Sequence, residues 1–225
     1  MKTYQHLCAV GHDLIREFFS NKVIVPGRTT EEDVNWWIRQ RIASLGLESW
    51  FQPSVDIIRS EKDAARLGKT TVIQPGDLLH CDVGIKYIGL CTDMQWQAYV
   101  LRPGETAAPA GLRKALDNAN RVADILMAEF KTGRSGKEIV TAAMEKGRAE
   151  GLDLLIYTHP LGFNGHAAGC TPDARDPQTI DEGNVPKWSY PLYPDTVYSI
   201  EFSCRSAVPE WDGEKVGIGY EEDAL

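Results

Sequence analysis

Residues 78–101 read LLHCDVGIKYIGLCTDMQWQAYVL, a pattern typical of two adjacent strands that each carry an aspartate. Alternation of polar and apolar residues places Asp82 on the strand face opposite its apolar neighbours. Strands over residues 78–85 and 90–101, closed symmetrically, would set Asp82 directly opposite Asp93 with Cβ atoms about 4.5–5.5 Å apart. Carboxylates that close repel unless a cation or a proton lies between them. The alternative interpretation is two exposed aspartates near a turn.

Two similar helix pairs flank this hairpin in the sequence. Apolar residues at helical spacing predict four helices, over residues 3–20, 29–46, 112–130 and 135–151. The second and fourth begin at capping boxes, at Thr29 and Ser135, and end at Gly46 and Gly151. The boxes are 106 residues apart (135 − 29) and the glycines 105 (151 − 46). This offset predicts a duplicated helix-helix-sheet unit in a single α+β domain over residues 1–225, unless common helix-capping residues coincide by chance.

Three later segments carry further candidate site residues. His159 and His166 lie in the glycine-rich stretch HPLGFNGH after a predicted strand, a context that suits a ligand and a catalytic partner. Glu201 and Glu221 lie in two later predicted strands, on the faces opposite their apolar neighbours. Burying a carboxylate among strand-forming residues is costly unless it is paired or metal-bound. Taken singly, each glutamate can equally lie on a solvated face, and each histidine at a surface or a cap.

These five groups, four carboxylates and one histidine, form an oxygen-rich set whose four negative charges would balance two divalent cations. Such ligands suit Mn, Co, Fe or Zn in a two-metal hydrolytic site, whereas a structural zinc site favours thiolates. The sequence therefore predicts two divalent metal ions as cofactors.

The composition excludes several classes of protein. The 225 residues carry a formal net charge of −8 at a pI of about 5.2, which argues against a nucleic-acid partner. No segment approaches the roughly 18 apolar residues that a membrane span needs, and the charged N-terminal helix is not a signal peptide. Five scattered cysteines without CxxC spacing indicate reduced thiols in a cytoplasmic protein.

Taken in order, these motifs resemble the pita-bread metallopeptidases, a family that includes Xaa-Pro aminopeptidase, prolidase, methionine aminopeptidase and the metal-free creatinase. The resemblance rests on a DxG strand with a second Asp eleven residues on, an HxxGxxxH turn, a Glu in an IE strand and a Glu in the final strand. It covers essentially the whole chain and implies the pita-bread fold. It also implies five metal ligands: Asp82, Asp93, His159, Glu201 and Glu221.

The resemblance implies a role for each site residue. Asp93 and Glu221 bridge two metals, while His159 binds one of them. Glu201 binds metal and shuttles a proton, and His166 is a catalytic residue that hydrogen-bonds the substrate carbonyl or the developing oxyanion.

The identity of the last ligand is ambiguous in the sequence because Glu221 and Glu222 are adjacent; strand parity favours Glu221. The printed sequence ends at Leu225, and its last residues offer little apolar surface. We therefore expect the end of this strand to fray and to hold one metal weakly.

The substrate is the least constrained part of this interpretation. The overall pattern is closest to the Xaa-Pro branch, which implies hydrolysis of short peptides with proline at the second position. Trp188, Tyr190 and Tyr193 would wall a pocket for the proline ring, or simply pack within the proline-rich loop over residues 170–195. The sequence lacks the arginine that commonly follows the position of Asp93, and this departure weakens the substrate assignment more than the metal assignment.

Three alternatives stay open at this stage. A methionine aminopeptidase would have a different specificity on the same site. A creatinase-like C–N hydrolase would use no metal, and a non-catalytic pita-bread module should have lost ligands, although none is missing here. A homodimer is also left open.

Overall fold

The computed structural model describes residues 2–175 and 189–225. Its helices are α1 (Lys2–Phe18), α2 (Glu31–Ser44), α3 (Glu61–Leu67), α4 (Ala110–Glu129) and α5 (Gly136–Ala149). Its strands are β1 (Glu48–Ser49), β2 (Ser54–Ile58), β3 (Leu78–Val83), β4 (Ile85–Tyr87), β5 (Leu90–Cys91), β6 (Met94–Tyr99), β7 (Asp153–Ile156), β8 (His159–Gly162), β9 (Gly165–His166), β10 (Tyr198–Val208) and β11 (Glu214–Ala224). None of the helices in these ranges is long and apolar enough to cross a membrane.

Eight of the strands form one antiparallel sheet. Their order is β2-β3-β6-β11-β10-β8-β9, and β7 also pairs with β10. The small sheet β1-β4-β5 lies beside it. Across the described strands, β6 and β11 share a single register pair, Gln95 with Glu221. The first half of the chain (α1 to β6) and the second half (α4 to β11) therefore join in the large sheet through β6 and β11, and side-chain contacts such as Trp96 with Glu222 and Gln97 with Gly219 add to this junction.

Two apolar cores lie beneath the two pairs of helices, and the second of them also includes Leu78 of β3. In the first half, Phe18 and Ile38 of α1 and α2 pack with Leu79 of β3. In the second half, residues of α4 and α5 such as Leu126 pack with Phe202 of β10. Burying one helix stripe against one sheet face is the arrangement that the alternating pattern predicts. The predicted duplicated α+β fold is confirmed.

The helix caps show the duplication at the level of single residues. Thr30 Oγ1 accepts a hydrogen bond from the backbone N–H of Asp33 at the start of α2, and Ser135 accepts one from Glu138 at the start of α5. The first cap is therefore Thr30, one residue later than predicted. With this correction the two caps lie 105 residues apart (135 − 30), which equals the spacing of the helix-ending glycines.

The hairpin register differs from the prediction by two residues. Asp82 pairs with Gln95 and not with Asp93. The turn consists of Ile88 and Gly89, whose φ angles are 46° and 83°, so the hairpin closes one position later than expected. Because side chains alternate with a period of two, this shift leaves Asp93 on the same face as Asp82, in a diagonal position.

Other predictions concern the C-terminal region. β11 stays paired with β10 through Ala224, so Glu221 lies inside the ladder. The fraying of this strand end and the weak binding of one metal stay predictions. In the proline-rich segment, the backbone N–H of Leu192 donates to the carbonyl of Arg134, between α4 and α5. Trp188 lies outside the described residues.

Candidate metal centre

Four neighbouring strands place polar side chains in one row across the large sheet. Asp82 of β3 is in register with Gln95 of β6, and Gln95 is in register with Glu221 of β11. Glu221 is in turn the register partner of Glu201 on β10. Residues in register point to the same face of a sheet, so the row brings three carboxylates together on one face.

Asp93 and His159 join this row from the ends of two strands. Asp93 directly precedes β6 and is 3% exposed, and its backbone N–H donates to the carboxylate of Asp223 at 3.1 and 3.3 Å. His159 begins β8. Its Nε2 lies 3.5 Å from both Glu201 Oε2 and Glu221 Oε1, and 3.7 Å from Asp93 Oδ2. All five predicted ligands therefore converge on one site.

Their ligand-type atoms fall into overlapping groups, each within 4.8 Å. One group is Asp82, Asp93 and Glu221, and a second is His159, Glu201 and Glu221. A third joins Asp93 and His159 to His166. Because Glu221 belongs to both of the first two groups, the geometry is compatible with adjacent cation positions that share a carboxylate.

Two unpartnered polar atoms test whether these residues fit a metal. Asp82 Oδ1 and His159 Nε2 are both buried and have no hydrogen-bond partner within the described residues. Leaving a buried donor or acceptor unpaired costs about 1–3 kcal/mol, so such atoms need an explanation. Both belong to the groups above, and a coordinated divalent cation would satisfy both. The donor set therefore fits the predicted metals.

The electrostatics of the cluster are unfavourable for the side chains alone. Burial, together with the charges of Glu221 and Glu201, raises the pKa of Asp82 to about 7. Burial and neighbouring carboxylates also raise the pKa of Asp93. Burial by itself lowers the pKa of His159, but its interactions with the two glutamates outweigh this and raise the pKa to about 9. The protein thus holds negative charges together at a cost that a cation would relieve.

A further set of residues holds the ligands in place. The hydroxyl of Ser199 donates to Glu221, and Thr158 Oγ1 accepts the backbone N–H of Glu201 at 3.0 Å. Gln95 donates to both Glu201 and Glu221. Sequence reasoning missed these roles. The available signal was that Ser199 shares a strand face with Glu201.

Glu222 lies on the opposite face of β11 from the cluster. Its carboxylate accepts a hydrogen bond from Trp96 Nε1 at 2.5 Å and lies 2.9 Å from His12 Nε2. The structure thus directs Glu221 and not Glu222 toward the other candidate ligands.

His166 occupies an exposed position beside the buried cluster. It lies on β9, and its ring centroid is 4.0 Å from that of His159. Trp50 supports this hairpin: its indole N–H donates to the carbonyl of Thr92 at 2.8 Å, and its ring lies 5.3 Å from that of His166. A Cβ atom at Gly165 would overlap the Trp50 ring. The contact therefore requires a glycine beside His166.

The family of the chain follows from a comparison with known proteins. The model of metallopeptidase family M24 matches residues 1–225. The chain belongs to metallopeptidase family M24. This confirms the resemblance to the pita-bread metallopeptidases and the expectation of a peptidase family. A search of curated proteins found no match to this M24 chain.

Solved structures share the fold of this M24 chain. An X-Pro aminopeptidase from Thermotoga maritima has a TM-score of 0.69 at 20% identity, with 96% of this chain and 55% of that chain covered. A prolidase from Thermococcus sibiricus has a TM-score of 0.62 at 18% identity, with 99% of this chain and 55% of that chain covered. A methionine aminopeptidase from Thermotoga maritima has a TM-score of 0.60 at 17% identity, with 93% of this chain and 84% of that chain covered. The M24 chain thus spans about half the length of the first two proteins.

Of the aromatic residues predicted to line a substrate pocket, Tyr190 and Tyr193 lie within the described part of this M24 chain. Tyr190 accepts a backbone hydrogen bond from Gly136 at the start of α5, and Tyr193 is 65% exposed. Phe163, at the turn between β8 and β9, is 68% exposed, with Lys86 Nζ 4.7 Å from its ring centroid. The pocket wall at Tyr190 and Tyr193 stays a prediction.

Proposed function

We propose that residues 1–225 form the catalytic domain of a peptidase that cleaves N-terminal peptide bonds with two divalent cations. One observation carries the proposal: five ligand-type side chains converge, and two of their buried atoms, Asp82 Oδ1 and His159 Nε2, have no hydrogen-bond partner in the part of the chain that the structure describes. Membership of metallopeptidase family M24 supports the same reaction class.

The proposed ligands are Asp82, Asp93, His159, Glu201 and Glu221. Divalent cations held there would act as Lewis acids toward the scissile carbonyl and would lower the pKa of water. Glu201 accepts a proton from the attacking water and returns it to the leaving amine. We assign this role to Glu201 because its side chain is the most exposed of the three carboxylates near His159 and is therefore the most accessible to water and substrate. His166 donates a hydrogen bond to the scissile carbonyl as negative charge develops on its oxygen.

The proposed substrates are short peptides with proline at the second position. The sequence motifs are closest to the Xaa-Pro branch, and the chain shares its fold with an X-Pro aminopeptidase and a prolidase. The proposed cation is one of Mn, Co, Fe and Zn. The five cysteines are all free thiols, which supports the prediction of a reducing, cytoplasmic location.

The test combines metal analysis with paired substrates. Protein purified without chelator is analysed for metal, then reconstituted separately with Mn, Co, Fe and Zn. Each form is assayed on an Xaa-Pro dipeptide, an Xaa-Pro-Xaa tripeptide and Met-Ala-Ser, with His159→Ala as the matched inactive control. We expect metal-dependent release of the N-terminal residue from a proline substrate. Failure of the wild-type chain to bind any of these cations would contradict the proposal.

A methionine aminopeptidase is the second candidate. Its supporting observation is that the chain covers 84% of the Thermotoga maritima methionine aminopeptidase, a larger share than of the two proline-specific proteins. Preferential cleavage of Met-Ala-Ser would favour it. Hydrolysis of a non-peptide C–N bond without metal would instead indicate a creatinase-like enzyme, and metal binding without turnover a non-catalytic module.

A further inference from the structure

Gln95 occupies the centre of the row of candidate ligands. It lies between Asp82 and Glu221 in the sheet register. Its amide Nε2 donates to Glu201 Oε1 at 2.7 Å and to Glu221 Oε2 at 2.8 Å. Both amide hydrogens are thus used on the two glutamates, one on each.

The orientation of this amide is determined by its surroundings. Gln95 Oε1 lies 2.9 Å from His80 Nε2, so this ring nitrogen donates and the amide oxygen accepts. Exchanging the oxygen and nitrogen of the amide would turn its oxygen toward two carboxylates that can only accept. One orientation therefore satisfies all three contacts, whereas the opposite one leaves both glutamates facing an amide oxygen that cannot donate.

The two contacts leave a specific oxygen of each glutamate for other partners. Gln95 holds Glu201 Oε1 and Glu221 Oε2. The remaining oxygens, Glu201 Oε2 and Glu221 Oε1, each lie 3.5 Å from His159 Nε2, a nitrogen without a hydrogen-bond partner among residues 2–175 and 189–225. The oxygens that face His159 are therefore those that Gln95 does not use.

We propose that Gln95 is a positioning residue that fixes Glu201 and Glu221 for metal binding. The inference rests on the proposed function, because it treats both glutamates as ligands. The amide supplies two donors where two carboxylates stand directly opposite each other. Unlike lysine or arginine, it adds no positive charge that would oppose a cation. Holding both side chains in one rotamer before binding also reduces the entropy that binding must overcome.

Gln97 provides a matched control on the same strand. It lies two residues from Gln95, on the same face of β6, and its amide donates to the backbone carbonyl of Gly219 instead of to a glutamate. Replacing either glutamine by methionine removes an amide from a half-buried site at nearly constant volume. The pair therefore separates the loss of an amide on this strand from the loss of contacts with Glu201 and Glu221.

The experiment measures Mn²⁺ affinity by titration calorimetry and the visible absorption of the Co²⁺-loaded protein for wild type, Gln95→Met and Gln97→Met. We expect Gln95→Met to weaken Mn²⁺ binding about 10–100-fold, the scale for residues that support metal ligands, and to alter the Co²⁺ bands because these report ligand geometry. Gln97→Met should stay within about twofold of wild type and keep its Co²⁺ spectrum. A purely structural role would not change the spectrum of folded, loaded protein.

Gln95→Asn is a second variant in case Gln95→Met does not fold. It keeps the amide but is shorter by one methylene, so it cannot reach both glutamates, and at least tenfold weaker Mn²⁺ binding is again expected. Wild-type affinity and spectrum in the folded Gln95 variants would overturn the inference and leave the proposed function intact. Absence of metal binding by the wild-type chain would instead refute the proposed function.

Discussion

Glu201 on β10 and Glu221 on β11 are direct cross-strand partners, and the side chain of Glu221 is 2% exposed. Like charges placed opposite each other in an antiparallel pair destabilise it, and burial increases the cost. Asp82 and Asp93 bring two more carboxyl groups to the same site. The protein therefore carries a local destabilisation that depends on whether a cation is bound.

Removing metal should lower the melting temperature. A ligand that binds the native state at 100 times its Kd stabilises it by about 2.7 kcal/mol, which corresponds to roughly 5–10 °C for a chain of this size. Calorimetry after exhaustive chelation, and again after addition of Mn or Co, measures the loss and its recovery. An unchanged melting curve after complete removal would contradict the five-ligand site.

Glu221→Gln should lose most of this response to chelator, whereas Glu222→Gln should retain it. The two residues are adjacent, but Glu221 faces the other carboxylates and Glu222 hydrogen-bonds Trp96 on the opposite face. Bound metal per chain and the chelator-induced shift in melting temperature are measured for both variants. If Glu222→Gln were the variant that lost metal, the last ligand would be misassigned.

His166→Ala should keep its metal but lose about 10²–10³ in kcat, the cost of removing one transition-state donor. His159→Ala should lose both metal and activity, because the buried Nε2 of His159 faces Glu201 and Glu221. Metal content by elemental analysis, alongside turnover of an Xaa-Pro peptide, distinguishes the two variants. An empty site in His166→Ala would mean that the two roles are reversed.

The stability contribution of Asp63 should disappear in acid. Burial by itself raises the pKa of Asp63, but hydrogen bonds and charges from Arg102 and Arg66 outweigh burial and lower it to about 2. The pKa of an aspartate in an unfolded chain is about 3.9. The contribution of Asp63 to stability is therefore present above about pH 4 and is lost as the pH falls toward 2.

Urea unfolding of wild type and Asp63→Asn between pH 3 and 7 tests this prediction. The difference in stability should be constant from pH 5 to 7 and should shrink below pH 4. Asp13→Asn, which removes a solvent-exposed pair with Arg16, is the control and should show a small difference throughout. A pH-independent difference for Asp63→Asn would refute the assignment.

Gly165→Ala should destabilise the β8–β9 hairpin and lower activity. Gly165 has a φ of 93°, and a Cβ there would overlap Trp50, so the backbone strain alone costs about 1–3 kcal/mol. Gly217→Ala on β11 is the control, since its Cβ would lie 3.8 Å from the nearest side-chain atom. Thermal melts and kcat are compared for both. If Gly165→Ala were indistinguishable from Gly217→Ala, the Trp50 side chain would be able to move aside without loss of stability, and the prediction would be wrong.

The strands and their faces were predictable because side-chain alternation is local information. Asp82, Glu201 and Glu221 each lie on the predicted face. The hairpin register was not predictable, because a turn with Ile88 at a φ of 46° goes against the preference for Asn, Asp or Gly there. The error in register was two residues, and a shift of two residues keeps each side chain on the same face of the strand. Asp82 and Asp93 therefore converge as predicted.

The residues that support the ligands could not be predicted in the same way. Gln95 is a neutral polar residue in a strand, and only the register of β6 with β11 places it between two glutamates. Asp223 likewise accepts a hydrogen bond from the backbone N–H of Asp93, which lies 130 residues earlier in the chain. Such roles depend on tertiary neighbours, which neither periodicity nor motif spacing specifies.

The division of the candidate ligands between the two halves of the chain would give a bound cation a mechanical role. Asp82 and Asp93 belong to one half of the chain, and His159, Glu201 and Glu221 to the other. On the proposed ligand set, a bound metal would cross-link these halves as a disulfide does, but reversibly. Removal of the metal would then leave the two halves joined by protein contacts alone, such as those of Asp93 with Asp223 and of Gln97 with Gly219.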